Sequence, residues 1–359
     1  MYVQVSVPGK LFLAGEYAVV ETGQPALIAS IDRYLTVTIK SSPQGSVYSS
    51  QQDKFVHWER LKEEISNKDD HPYDLIFSAM NVAETYLRHL GIKTDGFYDL
   101  SVDSQLDDEP SGIKYGLGSS GAVTVATIKA VLAYYEIEAA SFLIYQLSVL
   151  AQIKLGMLGS FGDLAAISHG GLIAYHSVDR DWLRQEVENH HFSEILDQAW
   201  PGLSIERLSL PASISFLVGW TGRPSSTEAL VAHVGQRVSQ REKEVKHAAF
   251  VSRSKNCLDQ IISSCQEGDA LRFQEGIAEN RRLLQEFARD MGLVIETPVL
   301  QRLCQLAQEV GAVAKTSGAG GGDCGIAFVT KKEQVDEIRQ KWQEAGIIPL
   351  DFTLARKMK

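Results

Sequence analysis

The stretch Pro110–Ala122, PSGIKYGLGSSGA, constrains this chain more than any other part of it. It combines glycines, serines and a lysine, and an apolar run with helical spacing, Val123–Tyr135, follows at once. A glycine-rich loop that enters a helix presents unpaired backbone N–H groups and the positive end of the helix dipole. Such a loop binds anions, and the hydroxyls of Ser119 and Ser120 can bond a phosphate or a metal ion. The stretch therefore predicts a site that holds a triphosphate.

The same loop spells G-x-G-x-x-G through Gly116, Gly118 and Gly121, which is also the fingerprint of dinucleotide-binding folds. That fingerprint requires an apolar strand directly before the loop and an acidic residue about 20 residues later. Here the acidic, turn-like segment Leu106–Ser111 precedes the loop, and the first acid after the helix, Glu136, comes early. A Walker loop would need G-K-[ST], which is absent. A dinucleotide oxidoreductase is therefore disfavoured. The alternative to a phosphate-binding loop is a glycine-rich turn that starts a helix and has no binding function.

The length, composition and charge of the chain indicate which class of protein it is. The chain has 359 residues, enough for two domains, and its 44% hydrophobic and 22% charged content is that of a soluble globular protein. The formal charge of −10 argues against nucleic acid or an anionic membrane as a partner. The four cysteines form no C-x-x-C pair, no apolar stretch is long enough to cross a bilayer, and no signal peptide is recognisable. We expect a cytoplasmic protein with reduced thiols, either a monomer or a homodimer.

Strand and helix patterns alternate along the chain and predict an α+β fold. We place a domain boundary in the weakly periodic segment Asp179–Gly202 and divide the chain into residues 1–185 and 186–359. The first half has predicted strands at 2–7, 26–31, 34–40, 97–102 and 170–175, and predicted helices at 73–90, 123–135 and 139–155. The second half has predicted strands at 214–220, 312–316, 324–330 and 347–354, with helices within 228–291, at 298–310 and at 331–345.

Three separated motifs stand in this chain: PGKLFLAGEYAVV at 8–20, the loop at 110–122, and KTSGAGGGDCGIAF at 315–328. Together they resemble the GHMP small-molecule kinases, a family named for galactokinase, homoserine kinase, mevalonate kinase and phosphomevalonate kinase. Two further segments, GSFGDLAA and GWTGRPSST, are most similar to the members that act on 5-phosphomevalonate. The resemblance implies the two-domain α+β GHMP kinase fold. Residues 1–185 would form an ATP-binding, ribosomal-protein-S5-like domain with a left-handed crossover, residues 186–359 a ferredoxin-like domain, and the active site would lie between them.

The resemblance also implies roles for individual residues. Lys10 and Asp163 match the catalytic positions, and a lysine that reaches the γ-phosphate neutralises charge in phosphoryl transfer. Mg²⁺ would contact the Ser120 hydroxyl, since this ion takes few protein ligands and keeps several waters. The residues expected to bind ATP are Lys114, Gly116, Leu117, Gly118, Ser119, Ser120, Gly121 and Ala122.

The implied reaction transfers a phosphoryl group from ATP to 5-phosphomevalonate, giving the diphosphate and ADP. A phosphate monoester has a second pKa of about 6, so it is largely a dianion at neutral pH and needs no strong base. We therefore expect Asp163 to orient Lys10, and we expect Lys10, Lys114, Arg223 and Arg281 or Arg282 to offset the repulsion between two anions. The residues expected to contact the acceptor are Lys10, Glu16, Tyr17, Ser160, Arg223, Ser225, Ser226, Thr227, Asn280, Arg281, Gly318, Ala319, Gly320, Gly321 and Asp323.

Several alternatives stay open at this point. An alcohol acceptor, as in mevalonate kinase or another member of the family, would make Asp163 the base. A non-catalytic nucleotide or metabolite sensor on the same fold is a second alternative, although the presence of both Lys10 and Asp163 speaks against it. Asp163 can also be a helix N-cap, and Lys114 can be a solvated loop residue. We expect the adenine pocket between Ser41 and Pro110.

Overall fold

A computed structural model of the protein describes residues 1–67, 71–109, 111–189, 192–224 and 240–355. These residues form two β-sheets with helices packed against them, which confirms the α+β prediction. The strands of the first sheet are β1 (Tyr2–Ala14), β2 (Pro25–Ser42), β3 (Gly45–Ser49), β4 (Lys54–Leu61), β5 (Glu64–Ser66), β6 (Phe97–Ser104), β7 (Leu172–His176) and β8 (Ser204–Leu208). The helices in this part of the chain are α1 (Asp74–His89), α2 (Ser119–Tyr134), α3 (Ser141–Lys154), α4 (Gly162–His169), α5 (Arg180–Asn189) and α6 (Phe192–Asp197).

The long strand β2 organises the first sheet. It pairs with β1 along most of its length, with β7 through its first part and with β6 through its last part. The two strands predicted at 26–31 and 34–40 are therefore one continuous strand. Strand β1 likewise continues past Pro8 and Gly9, where the prediction had ended it. Both residues stay paired with β2, and a shift in pairing register between them places the extra residues Asp32 and Arg33 on β2. Beyond this shift the backbone N–H of Lys10 donates to the Leu117 carbonyl at 2.9 Å, so β1 touches the glycine loop.

Strands β3, β4 and β5 fall where the sequence is polar and rich in turn residues, and the prediction missed them. In β4 only Val56 and Trp58 are buried, so the strand has one face on the core and one face in solvent. Strand β3 also forms a parallel pair with β6, whereas the other pairs of this sheet are antiparallel.

The second sheet has the order β10-β11-β9-β12, with antiparallel neighbours throughout. Its strands are β9 (Ser215–Trp220), β10 (Val313–Thr316), β11 (Cys324–Val329) and β12 (Ile348–Leu350). The helices in this part of the chain are α7 (Gln240–Glu267), α8 (Ala270–Met291), α9 (Pro298–Glu309) and α10 (Glu333–Glu344). Helix α9 begins as predicted, because the Thr297 side chain caps it and Pro298 occupies its first turn. Helices between β9 and β10 and between β11 and β12 give the order of a ferredoxin-like domain.

The chain crosses between the two sheets twice. Strand β8 pairs with β7, so the first sheet extends past residues 185 and 186; the division of the chain there stays a prediction. A C-terminal strap, residues 351–355, then returns to the first sheet: the N–H of Ala355 donates to the Ser30 carbonyl and that of Thr353 to the Asp32 carboxylate, each at 2.8 Å. Among the described helices, none is long and apolar enough to span a bilayer.

Gly45 provides a test of the packing between β3 and β4. It lies opposite Trp58, and a Cβ atom added to it would be 2.1 Å from the Trp58 ring. We expect Gly45→Ala to lower the free energy of unfolding by about 1–3 kcal/mol, because the ring must move to admit the methyl group. Gly96→Ala is the control, since no described heavy atom lies within 4 Å of the added Cβ. Chemical denaturation measures both, and equal stabilities would contradict this packing.

Candidate active site

The glycine loop is pressed between charged side chains from three other segments. Gly116 and Gly118 have left-handed backbones, with φ of 83° and 79°, and Gly118 directly precedes α2. Each glycine of G-x-G-x-x-G lies so close to a charged side chain that a Cβ atom would overlap it. A Cβ atom added to Gly116 would lie 2.5 Å from Asp323 Oδ2, and one added to Gly118 would lie 2.7 Å from Lys10 Cε. A Cβ atom added to Gly121 would lie 2.6 Å from Asp163 Oδ2. The loop, the predicted catalytic pair and the third glycine turn therefore form one site.

Lys10 lies at the centre of this site. The aliphatic part of its side chain packs against Gly118, and its Nζ donates to the Gly116 carbonyl at 3.4 Å. Burial lowers the pKa of Lys10 below its ordinary value, and the carboxylates of Asp163 and Asp323 act in the opposite direction. The two acids thus help the half-buried ammonium to keep its charge.

Asp163 lies in the first turn of α4 and is half-buried. The turn before it is held by the Tyr175 hydroxyl, which donates to the Ser160 carbonyl at 2.6 Å and bonds the Tyr145 hydroxyl at 3.2 Å. Phe161, in the same turn, has a φ of 58°, which is costly for a bulky residue and requires such support. Sequence reasoning missed the two tyrosines, because they stand far from any motif.

The third glycine turn, residues 317–323, contacts both neighbouring segments. The N–H of Gly321 donates to the Ile295 carbonyl at 2.9 Å, and the N–H of Asp323 donates to the Arg223 carbonyl at 2.8 Å. A Cβ at Gly320 would lie 2.2 Å from the Ile295 carbonyl oxygen, so only glycine fits there. The backbone of Arg223 is thereby fixed beside the turn, while its side chain is exposed.

Glu16 and Tyr17 also contact this turn. The Tyr17 hydroxyl donates to the Ala319 carbonyl at 2.5 Å, and burial raises the pKa of Tyr17 to about 12. Glu16 is buried and forms an ion pair with Lys315, which was not among the predicted site residues. The signal that could have revealed Lys315 is its position in β10 directly before the glycines, where a lysine must be either exposed or paired.

The arginines predicted on α8 are engaged elsewhere. Arg281 makes two bonds to the Glu296 carboxylate, at 2.6 and 3.0 Å, and its side chain is only 11% exposed. Arg282 is exposed and pairs with Glu279 and Glu286. Asn280 is fully buried, and its amide atoms have no hydrogen-bond partner among the described residues. Acceptor binding by Asn280 or Arg281 therefore stays a prediction, and the observed bonds give Arg281 a structural role.

A cleft of about 1020 Å³ lies beside the start of the glycine loop. Its lining includes Arg33, Gln51, Asp103 and Lys114, so it falls largely within the range expected for the adenine pocket. Lys114 is exposed at its edge. The predicted residues Ser225, Ser226 and Thr227, and Pro110 of the loop, lie outside the described residues.

The donor set suits a metal ion that is held mainly by phosphates. No group of three or more His, Cys, Asp or Glu side chains within the described ranges is arranged to hold a metal. Ser120 is exposed in the first turn of α2, and the next residue, Gly121, lies against the carboxylate of Asp163. One hydroxyl and a nearby carboxylate are what Mg²⁺ needs from a protein when substrate phosphates provide the other ligands.

Comparison with protein families matches both halves of the chain. The model of the GHMP kinases N terminal domain matches residues 74–171, and the model of the GHMP kinases C terminal matches residues 261–348. Together they cover more than half of the 359 residues. The chain belongs to the GHMP kinase family. The resemblance seen in the three motifs is thus confirmed.

This GHMP kinase is similar over its full length to three known proteins, two of which are named phosphomevalonate kinase. It is 37% identical over 365 aligned residues to the phosphomevalonate kinase of Streptomyces sp. (strain CL190), covering 97% of this chain and 96% of the relative. The crystal structure of the Lin0012 protein from Listeria innocua superposes with a TM-score of 0.90 at 34% identity, over 100% of this chain and 99% of that one. The Streptococcus pneumoniae phosphomevalonate kinase in complex with phosphomevalonate and AMPPNP superposes with a TM-score of 0.82 at 30% identity, over 99% of this chain and 100% of that one.

Gly118 is the most direct test of the contact between the loop and Lys10. We expect Gly118→Ala to lower kcat/KM for ATP by about 100-fold, because a methyl group there displaces the Lys10 side chain by an ångström or more. Gly91→Ala is the matched control: its φ of 79° equals that of Gly118, but no described heavy atom lies within 4 Å of an added Cβ. The two variants share backbone strain and differ in the contact, so equal activities would contradict the assignment.

Proposed function

We propose that this GHMP kinase transfers the γ-phosphoryl group of ATP to the phosphate of 5-phosphomevalonate, forming 5-diphosphomevalonate and ADP. The observation that carries the proposal is the position of Lys10, held against the glycine loop and among the acids at 163 and 323. Full-length similarity to phosphomevalonate kinases supports the choice of acceptor. This is a reaction of isoprenoid synthesis by the mevalonate route.

In this proposal the backbone of the loop and the start of α2 hold the ATP phosphates. An oxygen of the acceptor phosphate attacks the γ-phosphorus in line, a new P–O bond forms, and the bond to the β,γ-bridging oxygen breaks to release ADP. The Lys10 ammonium offsets the charge shared by the two reacting phosphates. Mg²⁺ would be held by the Ser120 hydroxyl and would neutralise phosphate charge when bound.

We assign Asp163 an electrostatic role. The acceptor phosphate is already largely a dianion at neutral pH, so no proton needs to be removed from it. Asp163 is the strongest of the groups that oppose the effect of burial on the pKa of Lys10. The carboxylate therefore acts through the lysine, keeping it protonated and in place.

One observation favours the second candidate, a kinase with an alcohol acceptor such as mevalonate. Arg281 and Arg282 are engaged by glutamates, which leaves fewer cations for a phosphorylated acceptor than the sequence had suggested. Lys114 and Arg223 are exposed and support the phosphate acceptor.

The cleft next to Lys114 is our proposed adenine pocket. Magnesium dependence, a cytoplasmic location and a monomeric or homodimeric state remain predictions from the sequence.

The acceptor is tested by measuring ADP release with ATP and Mg²⁺ in the presence of mevalonate, 5-phosphomevalonate, homoserine or galactose, each repeated with EDTA. We expect turnover only with 5-phosphomevalonate, and loss of turnover with EDTA. Turnover with an unphosphorylated alcohol would overturn the proposed acceptor and return Asp163 to the role of base. Tight ATP binding without turnover of any of the four would favour the sensor.

Asp163→Asn separates the electrostatic role from the role of a base. Without the carboxylate, the pKa of the half-buried Lys10 falls further, so the lysine loses its proton at a lower pH. We expect the alkaline limb of kcat/KM for ATP to move to lower pH, with a loss of less than about 100-fold near neutrality. A loss of a thousandfold or more that is uniform across pH would instead identify a general base, whose contribution reaches about 10⁴-fold. Asp336→Asn, on the exposed face of α10, is the control.

A further inference from the structure

Lys315 and Glu16 form a buried ion pair between the two sheets. The Lys315 side chain is 0% exposed and that of Glu16 is 3% exposed, and Lys315 Nζ lies 2.5 Å from Glu16 Oε1. The same ammonium donates to the Thr316 carbonyl at 2.7 Å. Lys315 has no accessible surface, so it acts on any substrate only through other groups.

The pair continues directly into the third glycine turn. Glu16 Oε1 also accepts from the Gly318 N–H at 3.3 Å, and the neighbouring Tyr17 hydroxyl binds the Ala319 carbonyl. One residue earlier, the Ser317 hydroxyl donates to the Phe12 carbonyl at 2.8 Å. Three consecutive residues of the turn are therefore held by the segment that follows Lys10.

Stability alone is a weak reason for such a pair. Removing an ammonium and a carboxylate from water costs about as much as their attraction returns, and apolar replacements of buried pairs are often no less stable. Glu16 Oε2 has no hydrogen-bond partner among the described residues, so the carboxylate is incompletely satisfied. The pair instead fixes the relative position of two backbone segments that meet at the site, the segment at Glu16 and the segment at Lys315.

We propose that Lys315 and Tyr17 are positioning residues that hold the third glycine turn against the segment carrying Lys10 in the geometry required for phosphoryl transfer. The turn ends at Asp323, whose carboxylate lies against Gly116 and helps to keep Lys10 charged. A displaced turn moves this carboxylate and the backbone N–H groups of the turn together. The inference rests on the proposed function, because it assigns the residues to that reaction.

The first test compares Lys315→Met with the double variant Glu16→Gln, Lys315→Met. The single variant leaves a buried carboxylate without its partner and lowers Tm, whereas the double variant removes both charges and recovers Tm. We expect kcat to fall at least about tenfold in both, with KM for ATP within about twofold of the unmodified enzyme, because neither substitution lies in the nucleotide loop. Recovery of kcat together with Tm in the double variant would show that the pair only stabilises the fold and would overturn the proposal.

A second variant keeps the test decisive if Lys315→Met fails to fold. Tyr17→Phe removes one hydroxyl and retains the ring that packs 5.3 Å from the Phe287 ring. We expect kcat to fall about 3- to 10-fold with Tm nearly unchanged, the equivalent of one lost hydrogen bond. Tyr134→Phe, which removes a hydroxyl bonded to Ser41 far from the turn, is the control. An unchanged kcat in Tyr17→Phe would overturn the role of the turn.

Assays of the unmodified enzyme distinguish a failure of this inference from a failure of the proposed function. If it turns over an acceptor other than 5-phosphomevalonate, the proposed acceptor is wrong, and the same variants are measured with the acceptor that works. If it is active and all the variants match it, the inference is wrong while the function stands. Lys341→Met, which removes a half-exposed lysine paired with Glu309 on α9, controls for the loss of a lysine.

Discussion

The site depends on keeping one half-buried lysine charged. Burial works against the ammonium of Lys10, and the carboxylates of Asp163 and Asp323 counteract it. Those carboxylates reach the lysine only because the loop between them carries glycines at the points of contact. The spacing of G-x-G-x-x-G is thus explained in this protein by three close approaches. In a dinucleotide fold the same letters follow a strand that runs straight into a helix, whereas here β6 ends at Ser104 and α2 begins only at Ser119.

Strained backbone conformations also occur in the segments that form the site. Three non-glycine residues with positive φ stand in the three segments that supply the site: Tyr17 after the first motif, Phe161 before Asp163, and Asp323 at the end of the third turn. Each is supported by a contact with another segment, such as the Tyr175 hydroxyl beneath the turn at 160–162 or the Arg223 carbonyl beside Asp323. Strained backbone is retained where surrounding structure determines it, and here it directs functional side chains toward a common point.

The sequence was sufficient for what depends on local pattern. The helix after the glycine loop, the capped start of α9 and the alternation of strands and helices in the second half are encoded within a few residues. It was insufficient where partners lie far apart. The ion pair of Lys315 with Glu16 joins residues about 300 positions apart, and the bonds of Arg281 to Glu296 removed a cation that a motif had suggested. Strand β3 was missed because Gly and Ser fill most of its buried positions, and β4 because its solvent face carries little apolar signal.

The C-terminal strap has a mechanical consequence. Because the chain leaves the first sheet after β8 and returns to it at residues 351–355, the ferredoxin-like part is tethered at both of its ends. Phe352 of the strap also packs edge-on against Tyr115 of the glycine loop, with ring centroids 5.5 Å apart. A body tethered twice in this way has no single hinge, so any change in its position relative to the first sheet moves both connections together.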